Sequence, residues 1–596
     1  MENNKKKIEV LLIAIVIFSE YFMLQYSCLP SFISFLKQGG WIIANYIIII
    51  GVNLGIYMIS ASWRGTLLCT LVFHFIWSVA NHYVILYHES PLFYGELANM
   101  KTAMNVAAGY SYEIDKVIGT LIILFLFQIL FIMLLGRDRK EEKKKRRIIA
   151  GAIVALMIIT FGFLLFGSSP IKPRNTIQWT WKEPVQKYGY AICFIENIDC
   201  TLHPYKEPEG YTVDAIHEVK AESVTGTGKE YPDVIFILNE TFCDLGAYAH
   251  IETDINYMEP FYTIKGAFHG KAITPSGGWG TNNSEYEFLT SNSLSLLANS
   301  APFNFLDLSK TKANIVQYFN GLGYETYAMH CQSPGNYSRN SAYKELGFDQ
   351  IIMGEENFVY CSYNGNRPWL DADNYKDLIK HYESGNADTP KFMYLLTYQN
   401  HGGYTQNTGE MALVHVKSDH GNMNAQLEEY FSTIYLSATA IADLVEYFSN
   451  VDRPVVLCMV GDHTTFLMNE LTPKDELDEL EMEIAKRTVP YMIWANFELD
   501  DSKVRSYDYA NMIDLAPIIL ASSGMPMTAY YEWILNLSNS VPIRTSNHIM
   551  MDIYGNVELL STEYEHYEDI MQYYYMEYNN LIGGENYKKE LFEITQ

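Results

Sequence analysis

Four stretches of this chain carry nucleophile and metal-ligand residue types in places a fold could use. Gly278-Trp279-Gly280-Thr281-Asn282-Asn283-Ser284 presents a threonine hydroxyl after small residues, in a turn-rich patch that begins at Thr274-Pro275-Ser276-Gly277. Backbone of that composition bends sharply and approaches a ligand closely. Asn239-Glu240-Thr241, Asn400-His401-Gly402-Gly403 and Gly461-Asp462-His463-Thr464 each follow a short apolar run. Singly these have ordinary explanations: turn threonines, turn-capping histidines and strand-end carboxylates are common. Together, Glu240, Thr281, Asp462 and His463 make an oxygen-and-imidazole cage suited to a divalent cation, with manganese, magnesium and zinc as candidates. Such an ion would lower the hydroxyl pKa of Thr281 and neutralise a phosphoryl or sulfuryl oxygen. His401 could then protonate a leaving oxygen or hold the non-bridging ones. Arg339, in Asn336-Tyr337-Ser338-Arg339, could clamp a phosphate through a bidentate contact, the plainer alternative being a pairing with a surface acid.

The elements that must position these residues are legible from Tyr231 onward. Continuous apolar runs at Asp233–Leu238, Tyr324–Met329, Phe392–Thr397, Val455–Val460 and Tyr491–Ala495 read as buried strands. Amphipathic stretches such as Gln426–Phe448 lie between them and read as helices. That alternation implies an α/β domain with a mostly parallel central sheet covered by helices. In such sheets ligands bind beyond the carboxyl ends of the strands, where Glu240, His401, Asp462 and His463 fall.

Apolar stretches at about 8–29, 41–61, 65–87, 117–136 and 148–168 are each long enough to cross a bilayer as a helix. They show almost no polar face, unlike buried helices of a soluble protein. Lys5, Lys6 and Lys7, then Arg64, then the run Arg137–Arg147 fall on one side of a five-span arrangement. The positive-inside rule makes that side cytoplasmic and puts everything after the fifth span outside the cell. Tyr94–Tyr112 reads as an external loop or interfacial helix. The organisation is therefore a transmembrane domain, residues 1–168, a membrane-proximal linker, 169–229, and an extracellular domain, 230–596. Trp179, Trp181, Tyr188, Tyr190 and Phe194 suit that linker to the headgroup level.

A net charge of −27 over 596 residues argues against nucleic acid as a partner. The eight cysteines form no CxxC pair and read as structural thiols, with a Cys193–Cys200 disulfide as the alternative for that pair.

The external stretches resemble the lipoteichoic acid synthase family, membrane-anchored phosphoglycerol transferases of the alkaline phosphatase and sulfatase superfamily. The resemblance rests on Asn239-Glu240, Gly280-Thr281-Asn282-Asn283-Ser284-Glu285-Tyr286-Glu287, Met329-His330, Ser338-Arg339, Asn400-His401 and Gly461-Asp462-His463. It implies that Glu240, Thr281, Asp462 and His463 hold one ion, manganese first, with Thr281 as nucleophile. It further implies that His330, Tyr337, Arg339 and His401 line a glycerophosphate site. The implied reaction moves glycerol phosphate from phosphatidylglycerol, through a phospho-threonine, onto a glycolipid-linked or teichoic acid chain of the cell wall. Two departures touch the head-group pocket: Tyr337 stands where the family has tryptophan, and Gln332 where an acid is expected.

A phosphoethanolamine or other head-group transferase acting on a surface glycan shares the same metal and threonine logic. A sulfatase is disfavoured because no Cys-x-Pro-x-Arg nucleophile loop is present. A two-zinc phosphatase would need more ligands. A catalytically dead binding or sensor protein would not need all four cage residues.

Overall fold

Long uninterrupted apolar runs leave the N-terminal chain no alternative to helix, because only helices satisfy their own backbone in hydrocarbon. The computed structural model describes residues 2–88, 91–100, 104, 112–135, 143–166, 181–217, 231–298, 301–362, 369–404, 412–504 and 508–594. The chain divides into two units, one of Met1–Ala98 with Ser111–Pro204 and one of Asn99–Tyr110 with Tyr205–Gln596.

The first unit contains α1 (Glu2–Cys28), α2 (Trp41–Ser60), α3 (Trp63–His88), α4 (Lys116–Leu134) and α5 (Lys143–Phe166). The first four are long and apolar enough to cross a membrane; α5 contributes a shorter apolar stretch, Arg147–Ile158. Arg64 donates to the Met133 carbonyl and Arg147 to that of Ile59, so these two cations gather at one end of the bundle. Residues 136–142 of the basic run, and most of 101–111, lie outside the described residues.

The bundle interior departs from the expectation of almost no polar face. Glu20, Asn53, Thr70 and His74 are buried together. The Glu20 carboxylate accepts from Asn53 Nδ2 at 2.9 Å and Thr70 Oγ1 at 2.8 Å, and lies 3.1 Å from His74 Nδ1. Averaged hydropathy hides such residues because each span contributes only one or two of them.

Of the expected linker, α6 (Lys182–Tyr188) and α7 (Tyr190–Leu202) fold with the first unit. Gln25 Oε1 accepts from the Tyr190 amide at 2.8 Å, and Asn45 Oδ1 from that of Ile192 at 3.1 Å. Residues 205–217 fold with the second unit, and 167–180 and 218–230 lie outside the described residues. Cys193 is buried, and the side chain of Cys200, its candidate partner, lies outside the described residues.

The second unit is built on a sheet of β1 (Asp233–Asn239), β2 (Phe268–Ile273), β3 (Glu325–His330), β4 (Gln350–Met353), β5 (Lys391–Leu396), β6 (Val455–Gly461), β7 (Thr488–Ala495) and β8 (Tyr509–Asn511). Their order is β4-β3-β5-β1-β6-β7-β2-β8. All neighbours pair in parallel except that β7 runs antiparallel to both β6 and β2. The five strands read from apolar runs are all present. β2, β4 and β8 were not legible, being short or mixed in polarity, and take strand form from their neighbours.

β1, β5 and β6 are buried along their whole length, as continuous apolar strands require. The helices that matter for the site are α8 (Thr281–Thr290), α9 (Arg339–Leu346), α10 (Asp371–Ser384) and α11 (Asn424–Ser449). Phe288 of α8 stacks on Phe236 of β1 with ring centroids 3.3 Å apart. Each such buried aromatic contributes about 1.5–3 kcal/mol and fixes α8 against the central strand.

Candidate active site

β1 and β6 are neighbours in register, Asn239 opposite Gly461, so the residues that follow each strand emerge side by side. Those residues are Glu240 and the pair Asp462-His463, all buried. Their ligand atoms lie within 4.8 Å of one another. His463 Nε2 is 3.3 Å from Asp462 Oδ2 and 3.7 Å from Glu240 Oε1. A side chain at Gly461 would run into the Phe242 carbonyl at 2.1 Å, which explains the glycine before Asp462.

The hydrogen bonding around this cluster is one-sided. Asp462 Oδ1 accepts from the amides of Thr241, at 2.6 Å, and His463, at 2.8 Å. Asp462 Oδ2 is buried and, among the described residues, accepts nothing. His463 Nδ1 lies 2.8 Å from the Thr464 carbonyl, which assigns the proton to Nδ1 and leaves the Nε2 lone pair facing the carboxylates. Burial and the adjacent Asp462 push the Glu240 carboxyl up to about 8. Two buried neighbouring carboxyl groups, an orphaned carboxylate oxygen and a free imidazole lone pair form a donor set that fits one divalent cation.

Thr281 is the first residue of α8 and is buried. Gly280 before it has φ 98, in the left-handed region, and a Cβ there would sit 2.5 Å from Ser276 Oγ. Ser284 Oγ donates to the Asp462 carbonyl at 2.5 Å, and the Gly278 amide to Thr464 Oγ1 at 3.0 Å. These two bonds dock the threonine loop on the segment that carries Asp462 and His463. The positive end of the α8 dipole favours negative charge at Thr281.

The remaining residues expected at the site form a second group. His330 ends β3 and is buried, its Nδ1 3.1 Å from the Leu396 carbonyl. Burial and the Arg339 guanidinium push its pKa well down, so the ring is neutral. His401 follows β5, stacks on Tyr398 with centroids 4.7 Å apart, and is held neutral by desolvation. Neutrality suits His401 to accepting a proton before it gives one.

Arg339 opens α9 and is buried, its guanidinium carbon 5.0 Å from the centre of the Tyr337 ring. Its positive charge bears on Glu240, His330 and His401 alike. The surface-acid pairing weighed from sequence is not what forms: Arg339 Nε donates to the fully buried Glu285 at 2.7 Å.

Sequence reasoning missed a polar network beneath the strand ends. Asn400 Nδ2 donates to Asn239 Oδ1 at 2.9 Å, Asn239 Nδ2 to Asp371 Oδ2 at 2.7 Å, and Ser437 Oγ to the same oxygen at 2.5 Å. The network ties β1 and β5 to α10 and α11. The available signal was an asparagine immediately before each of Glu240 and His401.

Residues 232–525 match the sulfatase family model. The chain is 25% identical over 341 residues to a Rhizobium meliloti protein assigned to cyclic beta-1,2-glucan modification, covering 54% of this chain and 50% of that one. It is 22% identical over 445 residues to an uncharacterized protein of Haemophilus influenzae, covering 70% of this chain and 77% of that one. The chain thus spans only half the length of the first of these relatives. Among solved structures, a Streptococcus pyogenes phosphoglycerol transferase in complex with sn-glycerol-1-phosphate superposes with a TM-score of 0.52 at 17% identity, covering 66% of this chain and all of that one. That likeness is one of fold. The protein therefore joins a set of apolar N-terminal helices to a stretch, residues 232–525, that matches the sulfatase family model.

Proposed function

We propose that this protein is a membrane-anchored, metal-dependent transferase that moves glycerol phosphate from phosphatidylglycerol, through a phospho-threonine at Thr281, onto a cell-surface glycolipid or polyglycerolphosphate chain. The observation that carries this reading is the buried Glu240–Asp462–His463 cluster, with Asp462 Oδ2 unpaired, docked against the helix N-terminus that presents Thr281.

Glu240, Asp462, His463 and Thr281 would hold the ion, manganese first and magnesium or zinc as alternatives. When bound, it supplies Lewis acidity that favours the Thr281 alkoxide and neutralises phosphoryl charge. His401 takes the Thr281 proton as that oxygen attacks phosphorus, the bond to the diacylglycerol oxygen breaks, and His401 returns the proton to the leaving oxygen. Arg339 grips the non-bridging oxygens, and His330, its Nδ1 proton committed to the Leu396 carbonyl, lines the head-group pocket with Nε2 as an acceptor for a head-group hydroxyl or ammonium. In the second half the acceptor hydroxyl attacks the phospho-threonine, the Thr281–phosphorus bond breaks, and His401 takes the acceptor's proton and passes it to the Thr281 oxygen. A donor embedded in a bilayer explains why the site is carried on a chain with apolar helices. The basic ends at Arg64 and Arg147 support a cytoplasmic N-terminus and an extracellular residue 230–596 domain.

Mass spectrometry of the Thr281 peptide tests the proposal. Full-length protein with Mn2+ is incubated with phosphatidylglycerol or, separately, phosphatidylethanolamine, and quenched. A glycerophosphoryl adduct on Thr281 is expected from the first lipid, and Thr281→Ala should abolish it and cut transfer by more than about a thousandfold. A phosphoethanolamine adduct would instead establish the second reading, which Tyr337 and Gln332 favour because both differ from the residues implied for a glycerophosphate pocket. No adduct from either lipid, with metal bound, would sink both. The glucan-modification assignment of the rhizobial relative supports a glycan acceptor for either donor.

A further inference from the structure

The chain buries a second full carboxylate one helical turn beyond the nucleophile. Glu285 and Thr281 are separated by four residues on α8 and so share a face. Glu285 has no exposed surface, yet neither oxygen is orphaned: Oε2 accepts from Arg339 Nε at 2.7 Å and Oε1 from the Tyr343 hydroxyl. Arg339 and Tyr343 are themselves four residues apart on α9. Two helices are thus clasped through one carboxylate.

The clasp selects which edge of the guanidinium is used. With Nε committed to Glu285, the terminal Nη1 and Nη2 remain, and among the described residues neither donates to a protein acceptor. That pair is the edge that grips phosphate bidentately. Tyr337 and Ser338, at φ 52 and 56, form a turn that ordinary side chains rarely adopt, and it delivers the chain into α9 with the Tyr337 ring against the guanidinium.

We propose that Glu285 is a positioning residue for phosphoryl transfer: it rotates the Nη edge of Arg339 toward the phosphate and sets its distance from Thr281 through one turn of α8. The proposal rests on the transferase reading, but its test does not depend on the donor. Inorganic phosphate binding to the Mn2+-loaded, detergent-solubilised full chain is measured by calorimetry for wild type, Glu285→Gln, Glu285→Asp, Arg339→Ala and the Glu285→Gln/Arg339→Ala double variant. Mn2+ affinity and thermal unfolding are recorded alongside.

Glu285→Gln should weaken phosphate binding about tenfold with Mn2+ affinity unchanged, the loss of one charge-assisted contact. The double variant should bind phosphate no more weakly than Arg339→Ala, because Glu285 acts through that side chain. Glu285→Asp, which keeps the charge and shortens its reach, should fall between wild type and Glu285→Gln. Additive losses in the double variant, wild-type binding in Glu285→Gln or Glu285→Asp, or no phosphate binding by the wild type would each overturn the proposal. Should Glu285→Gln fail to fold, the Asp variant alone decides. Tight phosphate binding with the expected non-additivity but no Thr281 adduct from either lipid would sink the transferase reading and leave the positioning role standing.

Discussion

Four carboxylates in this molecule are almost equally buried and fall into chemically unlike settings. Glu20, in the helical unit, is surrounded by donors: Asn53, Thr70 and His74 all address it. Glu285, in the α/β domain, is saturated by Arg339 and Tyr343. Glu240 and Asp462 crowd one another instead, and Asp462 Oδ2 has no donor at all. Burying a charge is costly unless it is paired and hydrogen-bonded. A saturated buried acid is therefore explained by the protein around it, whereas a crowded pair of acids, one of them with an unmet oxygen, calls for a cation from outside. Burial alone does not separate a structural acid from a ligand; two crowded carboxyls beside an imidazole, one of them with an unmet oxygen, do.

That contrast can be broken most decisively by exchanging the lesions. Asp462→Ala should abolish Mn2+ binding measured by calorimetry while leaving the melting temperature of the metal-free protein little changed, since it removes a buried carboxylate whose Oδ2 is unmatched. Glu20→Ala should leave Mn2+ binding intact and lower the stability of the detergent-solubilised chain by about 2 kcal/mol, because three donors lose their acceptor. Metal-free Asp462→Ala melting well below wild type would show that the cage is held by its own hydrogen bonds and would erase the distinction.

A second prediction sharpens it through pH. Without a cation, Glu240 holds its proton up to about 8, so the ion must displace that proton to bind. Mn2+ affinity should rise by up to roughly tenfold per pH unit between about pH 6 and 8, then level off. A flat profile by calorimetry would mean that Glu240 is already ionised.

The smallest effect concerns Glu287, two residues beyond Glu285, whose carboxylate accepts the Leu294 amide at 3.0 Å and sits near Asp514 and Glu577. Burial pushes it up to about 8, against 4.5 for an ordinary glutamate. A raised carboxyl pKa means that the folded state binds the proton more tightly, so stability is greatest below about pH 4.5 for this group and is lost as pH rises toward 8. Glu287→Gln should flatten the fall in melting temperature over that range. An unchanged slope would assign the pH dependence to other groups.

How far the sequence reached differs from element to element. β1, β5 and β6 were legible because strands covered on both faces are apolar throughout. β2, with His269, Gly270 and Lys271 inside it, was not, because its pairing with β7 and β8 rather than its composition makes it a strand. Glu240, Asp462 and His463 were legible because residue type and strand-end position together suggest a ligand. Glu285, Asp371 and Glu20 were not, because their meaning lies in partners 54, 132 and 54 residues away: Arg339, Asn239 and His74.

Residue order by itself determined that apolar helices precede an α/β domain and that metal-ligand types recur after its strands, since periodicity and local composition are properties of neighbouring residues. Only the tertiary structure decided that β1 lies beside β6, that Asp462 keeps one oxygen unpaired, and that Arg339 turns its Nε edge to Glu285 and its Nη edge away. Those outcomes depend on strand order and side-chain direction, which bring distant segments within a few ångströms and are written in no local stretch of the chain.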